Sequence, residues 1–229
     1  MSLWVPHPIP KRRVRGIGVL AAAAWALAGA VACGAEPAAL AFVQGGRCRT
    51  SIHVEAESGP VVDFAVESLR DAFRAAAGCE PDVNPEQAAP CRILLRKPEA
   101  SSRYGRDAER FRIRTRGNTV TLEAATERAL VWAAATFARR ALDAGWPVNG
   151  PARTPTGPRD TVVSPPLDLE EAPGLLLRGF HISGSPDGPH FDSATVDWMA
   201  RNRMNMKPTH PFHFPRVYEA LASRGLRPY

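Results

Sequence analysis

Arg178, His181 and His210 are the residues whose types and places fit them to hold a polar ligand. Arg178 and His181 stand in "LLLRGFH", residues 175–181, and His210 in "WMARNRMNMKPTHPFHF", residues 198–214. Each run reads as a strand that ends in polar groups. A guanidinium fork suits vicinal hydroxyls and carboxylates. Phe212 and Phe214 offer ring faces on which sugar C–H faces can stack, although core packing accounts for both. Such groups could hold a ligand that offers hydroxyls or carboxylates. The plainer alternatives are an ion pair from Arg178 to Asp168 or Asp197, and packing roles for the histidines. His210 and His213 have the spacing of a metal pair, but Pro211 lies between them and no third ligand is near, so neither metal nor cofactor is expected.

Two carboxyl groups facing across a bond would be the signature of acid–base hydrolysis. Asp187, Asp192 and Asp197 are near these strand ends in sequence only. Asp192 reads as a helix cap and Asp197 as a surface residue, so no catalytic pair is assigned. No P-loop, HExxH or Ser-His-Asp arrangement is present.

The elements that would position these residues follow from periodicity. "TSIHVEA" alternates as a half-buried strand. In "GPVVDFAVESLRDAFRAAAG", Val61, Phe64, Ala65, Leu69, Ala72, Phe73 and Ala76 recur on one helical face, with Pro60 suited to the first turn and Gly78 to the end. "CRILLRK" reads as a short buried strand. "RFRIRTRGNTVTLEA" reads as a hairpin turning at Gly117-Asn118. "TERALVWAAATFARRALDAG" reads as a second helix capped by Thr126 and ended by Gly145. The order β-α-β-β-β-α over residues 50–146 predicts a two-layer α/β sandwich. Residues 34–48 are expected to be a flexible lead.

Prolines crowd residues 147–174, which read as a linker or an extended wrap. Beyond them, "GLLLRGFHIS" reads as a strand buried on both faces. "DSATVDWMARNRM" reads as a helix, "NMKPTH" as a short strand, "PRVYEALASRG" as a helix and "LRPY" as the start of a third strand. This is how a parallel (β/α)8 barrel begins. Such a barrel needs about 250 residues, so residues 175–229 are expected to be an incomplete TIM-barrel fragment.

The N-terminus reads as an address. "KRRVR" precedes an apolar run at residues 16–32 that ends in "AVA", a pattern of a signal peptide over residues 1–32. An uncleaved membrane anchor is the alternative, and Cys33, placed as in a lipobox, is a candidate for lipidation. The expected destination is export: periplasmic, extracellular or lipid-anchored to a bacterial envelope. Of the formal charge of +6, four charges come from Lys11, Arg12, Arg13 and Arg15. The remaining basic residues are scattered among acids, which argues against a nucleic-acid partner. Export permits disulfides. Cys79 and Cys91 enclose the short loop "CEPDVNPEQAAPC" and are expected to pair, a closure that stabilises by roughly 3 kcal/mol. Cys48 is left free or paired elsewhere.

Several of these runs carry a family resemblance. The helix with "ESLRDAF", the strand "RILLR", the hairpin and helix "FRIRTRGNTVTLEAATERALVWAAATFARRAL" and the proline-rich exit resemble the N-terminal domain of family 67 α-glucuronidases and family 20 β-hexosaminidases. "LRGFHI" and "VDWMARNRMNMKPTHPFH" resemble the first two βα units of the family's barrel. The resemblance covers about residues 50–229. It implies an exported carbohydrate-active enzyme, an accessory α/β domain ahead of a catalytic barrel, and a glycan partner. It also implies sugar-binding roles for Arg178 and for the strand-end His210. The family's catalytic carboxylates lie on later barrel strands, so the chain is expected to be the N-terminal portion of a glycoside hydrolase without turnover of its own. The alternative is a non-catalytic exported module for carbohydrate binding or docking.

Overall fold

The computed structural model describes residues 39–87, 89–98, 107–148, 150–175, 177–179, 193–207 and 215–228. Cys33, His181, Asp187, Asp192, His210, Phe212, His213 and Phe214 lie outside them, as does the whole N-terminal address.

Residues 40–48 of the expected lead form strands. Leu40–Gln44 (β1) and Arg47–Cys48 (β2) pair antiparallel, and Val162–Ser164 (β8) joins the other edge of β1. The turn between β1 and β2 is Gly45-Gly46, with φ of 58° and 70°. Both values lie in the left-handed region that a two-residue hairpin turn asks for and that glycine adopts without steric cost. Phe42 sits edge-on to Phe73 and Phe137, at 6.2 and 5.5 Å between ring centroids. The segment is therefore part of the core.

The main sheet has six strands. Thr50–Val54 (β3), Asp82–Val83 (β4), Cys91–Arg96 (β5) and Thr119–Ala124 (β7) run parallel; Phe111–Arg116 (β6) is antiparallel to β7, and Asp168–Glu171 (β9) is antiparallel to β6. The spatial order is β4-β3-β5-β7-β6-β9. Ile93, Leu95, Ile113, Val120 and Leu122 point into the core, while the alternate positions Arg92, Arg96 and Thr121 do not. That alternation is the mark of a sheet with one face covered. The proline-rich stretch at 147–174 supplies β8 and β9, so it wraps the domain and closes two sheet edges rather than hanging between domains.

Two helices cover the buried face. Pro60–Ala77 (α1) begins with proline in its first turn and ends at Gly78, φ 67° and ψ 12°, a left-handed cap. Glu127–Phe137 (α2) starts at Thr126, whose Oγ1 accepts from Ala129 N at 3.3 Å. It continues as a π-helical turn, Ala138–Leu142, and ends at Asp143 in the left-handed region, two residues before the expected Gly145. All of Ala129–Phe137 is buried. A helix apolar all round must be covered on every side: the sheet and α1 account for part of it, and Ser193–Arg201 (α3) packs on the rest.

The last part of the described chain holds α3, Met206–Lys207 (β10), Pro215–Ala222 (α4) and Arg227–Pro228 (β11). β10 and β11 pair in parallel, as strands joined through a helix do. Val196, Met199 and Ala200 of α3 are buried, as their spacing predicts. The start of the expected strand at 175–183 departs from expectation. Leu175 and Leu177 are 68% and 55% exposed, and residues 177–179 have no ladder partner among the described residues.

Candidate functional site

Arg178 lies in a cluster centred on a carboxylate from the α/β layer. A 3-10 turn, Asp107–Glu109, precedes β6, and Thr126 Oγ1 donates to the Ala108 carbonyl at 2.7 Å, tying that turn to the head of α2. The Glu109 side chain so placed is 2% exposed. Its Oε1 accepts from Arg128 Nη2 at 2.7 Å and from Asn205 Nδ2 at 2.8 Å, and its Oε2 accepts from Arg178 Nη2 at 2.8 Å. A carboxylate buried this deeply needs such partners, because an unpaired buried charge is costly.

The rest of Arg178 is also engaged. Its Nε donates to the Arg203 carbonyl at 2.7 Å, and Nη1 donates to the Leu175 carbonyl. The guanidinium stacks over the Trp132 ring at 4.8 Å, and Arg128 approaches the same ring at 5.6 Å. On the backbone, Arg178 N donates to Asn205 Oδ1 at 2.8 Å, and Asn205 N donates to the Arg178 carbonyl at 2.9 Å. The side chain's ion-pair partner is Glu109. Asp168 is taken by Arg112 and Arg114, and Asp197 by Arg224. This cluster fastens the start of the second segment to the α/β layer.

A second cluster joins α3 to α1. Arg201 Nε donates to the buried Ser68 Oγ at 2.9 Å, and Nη2 meets Asp71 Oδ2 at 3.2 Å. Its guanidinium lies over Phe64 at 4.6 Å and Trp146 at 5.0 Å. Burial pulls the Arg201 pKa down, opposed by the charges of Asp197 and Asp71. Beside it opens a cleft of about 390 Å³ lined by Phe64, Glu67, Asp71, Trp146, Trp198 and Arg224, among others. Rings, carboxylates and guanidinia are the equipment for a polar, hydroxyl-bearing ligand. Here, however, Arg201 already stacks on Trp146, and Asp71 and Asp197 each face an arginine. The cleft's carboxylates, Glu67, Asp71 and Asp197, are engaged by Arg70 and Arg74, by Arg74 and Arg201, and by Arg224 respectively, rather than left open as an acid–base pair would be. Among the described residues, no group of His, Cys, Asp and Glu could hold a metal ion, and no helix is long and apolar enough to cross a membrane.

The expected Cys79–Cys91 bridge is corrected by the sheet order. Cys48, Cys79 and Cys91 are all free thiols. Cys91 opens β5 level with Thr50, and Cys79 leads into β4; these strands flank β3 on opposite sides. Cys91 Sγ instead donates to the Ala41 carbonyl at 3.3 Å.

Glu109, Trp132 and Arg201 were not singled out from the sequence. Glu109 stands in "DAERFRIR", where an acid before a strand has the look of a surface residue. Only the tertiary arrangement of Arg128, Arg178 and Asn205 around it reveals its burial. Trp132 left a fainter signal, a large aromatic in a helix otherwise built of small residues.

No family model and no curated protein matches the sequence. Solved structures do match in fold. A family GH115 4-O-methyl-α-glucuronidase with specificity for decorated arabinogalactans superposes with a TM-score of 0.60 at 13% identity, covering 82% of this chain and 29% of its own. A GH20 exo-β-N-acetylglucosaminidase from Vibrio harveyi, described in complex with N-acetylglucosamine, gives 0.55 at 9% identity, covering 83% and 33%. A Streptomyces plicatus β-hexosaminidase gives 0.53 at 17%, covering 83% and 42%. This chain therefore spans about a third of the length of these neighbours. The resemblance to β-hexosaminidases and α-glucuronidases read from sequence is also the one found in fold, with the α-glucuronidase belonging to family GH115 rather than 67.

Proposed function

We propose that this chain acts as the N-terminal portion of an exported glycoside hydrolase of the α-glucuronidase or β-hexosaminidase kind, contributing an accessory α/β domain and the opening βα units of a glycan-binding barrel. The observation that carries this reading is the extent of the fold likeness. It takes in 82–83% of the chain, more than the α/β layer alone supplies. A shared fold does not by itself transfer a function. The functional part therefore leans further on what the sequence resemblance implies for "LRGFHI" and for the strand that ends at His210.

In this reading, the parallel pair β10–β11 is the start of a barrel wall, and contact with the saccharide is assigned, on the sequence resemblance, to His181 and His210. Arg178 serves the joint with the α/β domain, because Glu109, Trp132 and the Arg203 carbonyl already engage its guanidinium. The hydrolytic carboxylates are assigned to later strands of the barrel, so the 229-residue chain has no turnover of its own. The N-terminal pattern at residues 1–32 directs it out of the cytoplasm.

Saturation-transfer NMR of the 229-residue chain with glucuronic acid and with N-acetylglucosamine tests the binding claim. Signal transfer to one of the two, removed by an excess of its oligosaccharide, is the expected result; no transfer to either contradicts it. Aryl glucuronides and aryl N-acetylhexosaminides should stay intact with the same sample. Robust release of the aryl group would contradict the assignment of the carboxylates to later strands.

A further inference from the structure

We propose that Cys48 and Cys79 form a disulfide in the mature protein, a bond that ties the end of the N-terminal hairpin to the end of α1. Their chain segments enter neighbouring strands of one sheet. In the parallel pair β3–β4, Ser51 is opposite Asp82 and Ile52 opposite Val83. Cys48 closes β2 two residues before β3 begins, and Cys79 follows the cap of α1 three residues before β4 begins, so the two lead-ins approach adjacent strands. Neighbouring parallel strands lie about 4.8 Å apart, within the Cα separation that disulfides span. Both cysteines are half-buried and packed against the same core.

The chemistry of the two thiols agrees with that placement. Burial is the main influence on both, and each thiol also feels the other, while the Cys48 S–H donates to the Thr50 carbonyl at 3.6 Å. Burial pushes Cys48 up to about 12 and raises Cys79 as well, so neither is a reactive thiol of the catalytic kind, which needs a lowered pKa. Their use is structural.

The bond forms by exchange with a disulfide oxidant, such as oxidised glutathione or a disulfide-bearing oxidoreductase. The Cys79 thiolate, its proton passed to solvent, attacks one sulfur of the oxidant and displaces the other as a thiolate. Cys48, losing its proton in turn, attacks Cys79 Sγ and displaces the second thiolate. One S–S bond is made in the protein, and the oxidant's S–S bond is reduced to two thiols. Cys91 is engaged elsewhere, its Sγ donating to the Ala41 carbonyl at 3.3 Å.

The test equilibrates the purified full-length chain in a glutathione redox buffer. It is then quenched in acid, unfolded and alkylated, and the cysteines are mapped by mass spectrometry. Because trypsin leaves Cys79 and Cys91 on one peptide, the mapping is repeated on Cys91→Ala. The expected result is protection of Cys48 and Cys79 in both proteins, loss of that protection in Cys48→Ser, and a melting temperature about 5–10 °C higher for the oxidised form than for the reduced one. A Cys79–Cys91 link, or full alkylation of Cys48 and Cys79 in the folded wild-type chain after equilibration, would overturn the proposal. Mapping the wild-type chain keeps the test decisive even if a variant fails to fold. The test also stands apart from glycan binding, which can fail while the bridge forms.

Discussion

The α/β layer and the segment from residue 175 onward are built in different ways. In the layer, the central strands β3, β5, β6 and β7, five or six residues long, bury apolar side chains under α1 and α2, and Trp132, Ile93, Leu95 and Leu122 are almost wholly enclosed. In the segment, the described strands are two residues long, Leu175 and Leu177 face outward, and much of what holds it is charged. Arg178 reaches Glu109, Arg201 reaches Asp71, and Arg203 reaches Glu171 and Thr136. The first region has a core of its own. The second borrows one, laying Val196, Met199 and Ala200 on α2 and using arginines to fix where it lands. Hydrophobic burial is strong but non-directional, whereas a guanidinium fork is directional.

That contrast can be broken at its hinge. Replacing Glu109 with alanine leaves Arg128, Arg178 and Asn205 around an empty acceptor. Breaking a buried pair in this way costs about 3–5 kcal/mol, and denaturant titration should show it as a lower midpoint or as a first transition confined to the segment. A smaller effect is expected at Gly225, which has φ of 72° and where an added Cβ would come within 2.9 Å of Arg128 Cβ. Gly225→Ala should destabilise by about 1–3 kcal/mol through strain and overpacking, again read by denaturant titration.

Alkaline pH acts instead on the layer. Burial raises the pKa of Cys48 to about 12, and those of Cys79 and Cys91 are raised too. The folded state therefore holds these protons where the unfolded chain, titrating near 9.0, releases them. Their contribution to stability is complete below about pH 9 and is lost as pH climbs towards 12. Thermal melts of the reduced chain should fall progressively above pH 9, and less steeply in Cys48→Ala. The smallest effect is reserved for the exposed pair of Arg110 with Glu170, 2.6 Å apart on the open face of the sheet. Arg110→Ala should leave the melting temperature unchanged within error, as solvent-exposed pairs usually do.

The same contrast explains what could be read from the sequence. The helix at 60–77, the hairpin at 111–124 and Thr126 as a cap were legible because local periodicity and capping chemistry specify them. The β1–β2 hairpin was missed although Gly45-Gly46 announces its turn, because residues near an expected cleavage site read as a tail. Strands β8 and β9 were hidden among prolines, which sit at sheet edges as comfortably as in linkers. Arg178 was legible as a residue that matters, but its neighbours Glu109 and Trp132 come from elements far away in sequence, and no local pattern records which arginine will meet which buried acid. The cysteines show the same limit: a short loop suggests Cys79 with Cys91, whereas the structure has both as free thiols leading into strands on opposite sides of β3.

Amide hydrogen exchange on the wild-type chain and on Glu109→Gln tests the joint most directly. Loss of the buried ion pairs should speed exchange in residues 193–207 and 215–228 by about 100-fold, the equivalent of about 3 kcal/mol in local opening, while β5, β6 and β7 keep their protection. Equal acceleration across both regions, or unchanged protection of residues 193–228, would contradict the account.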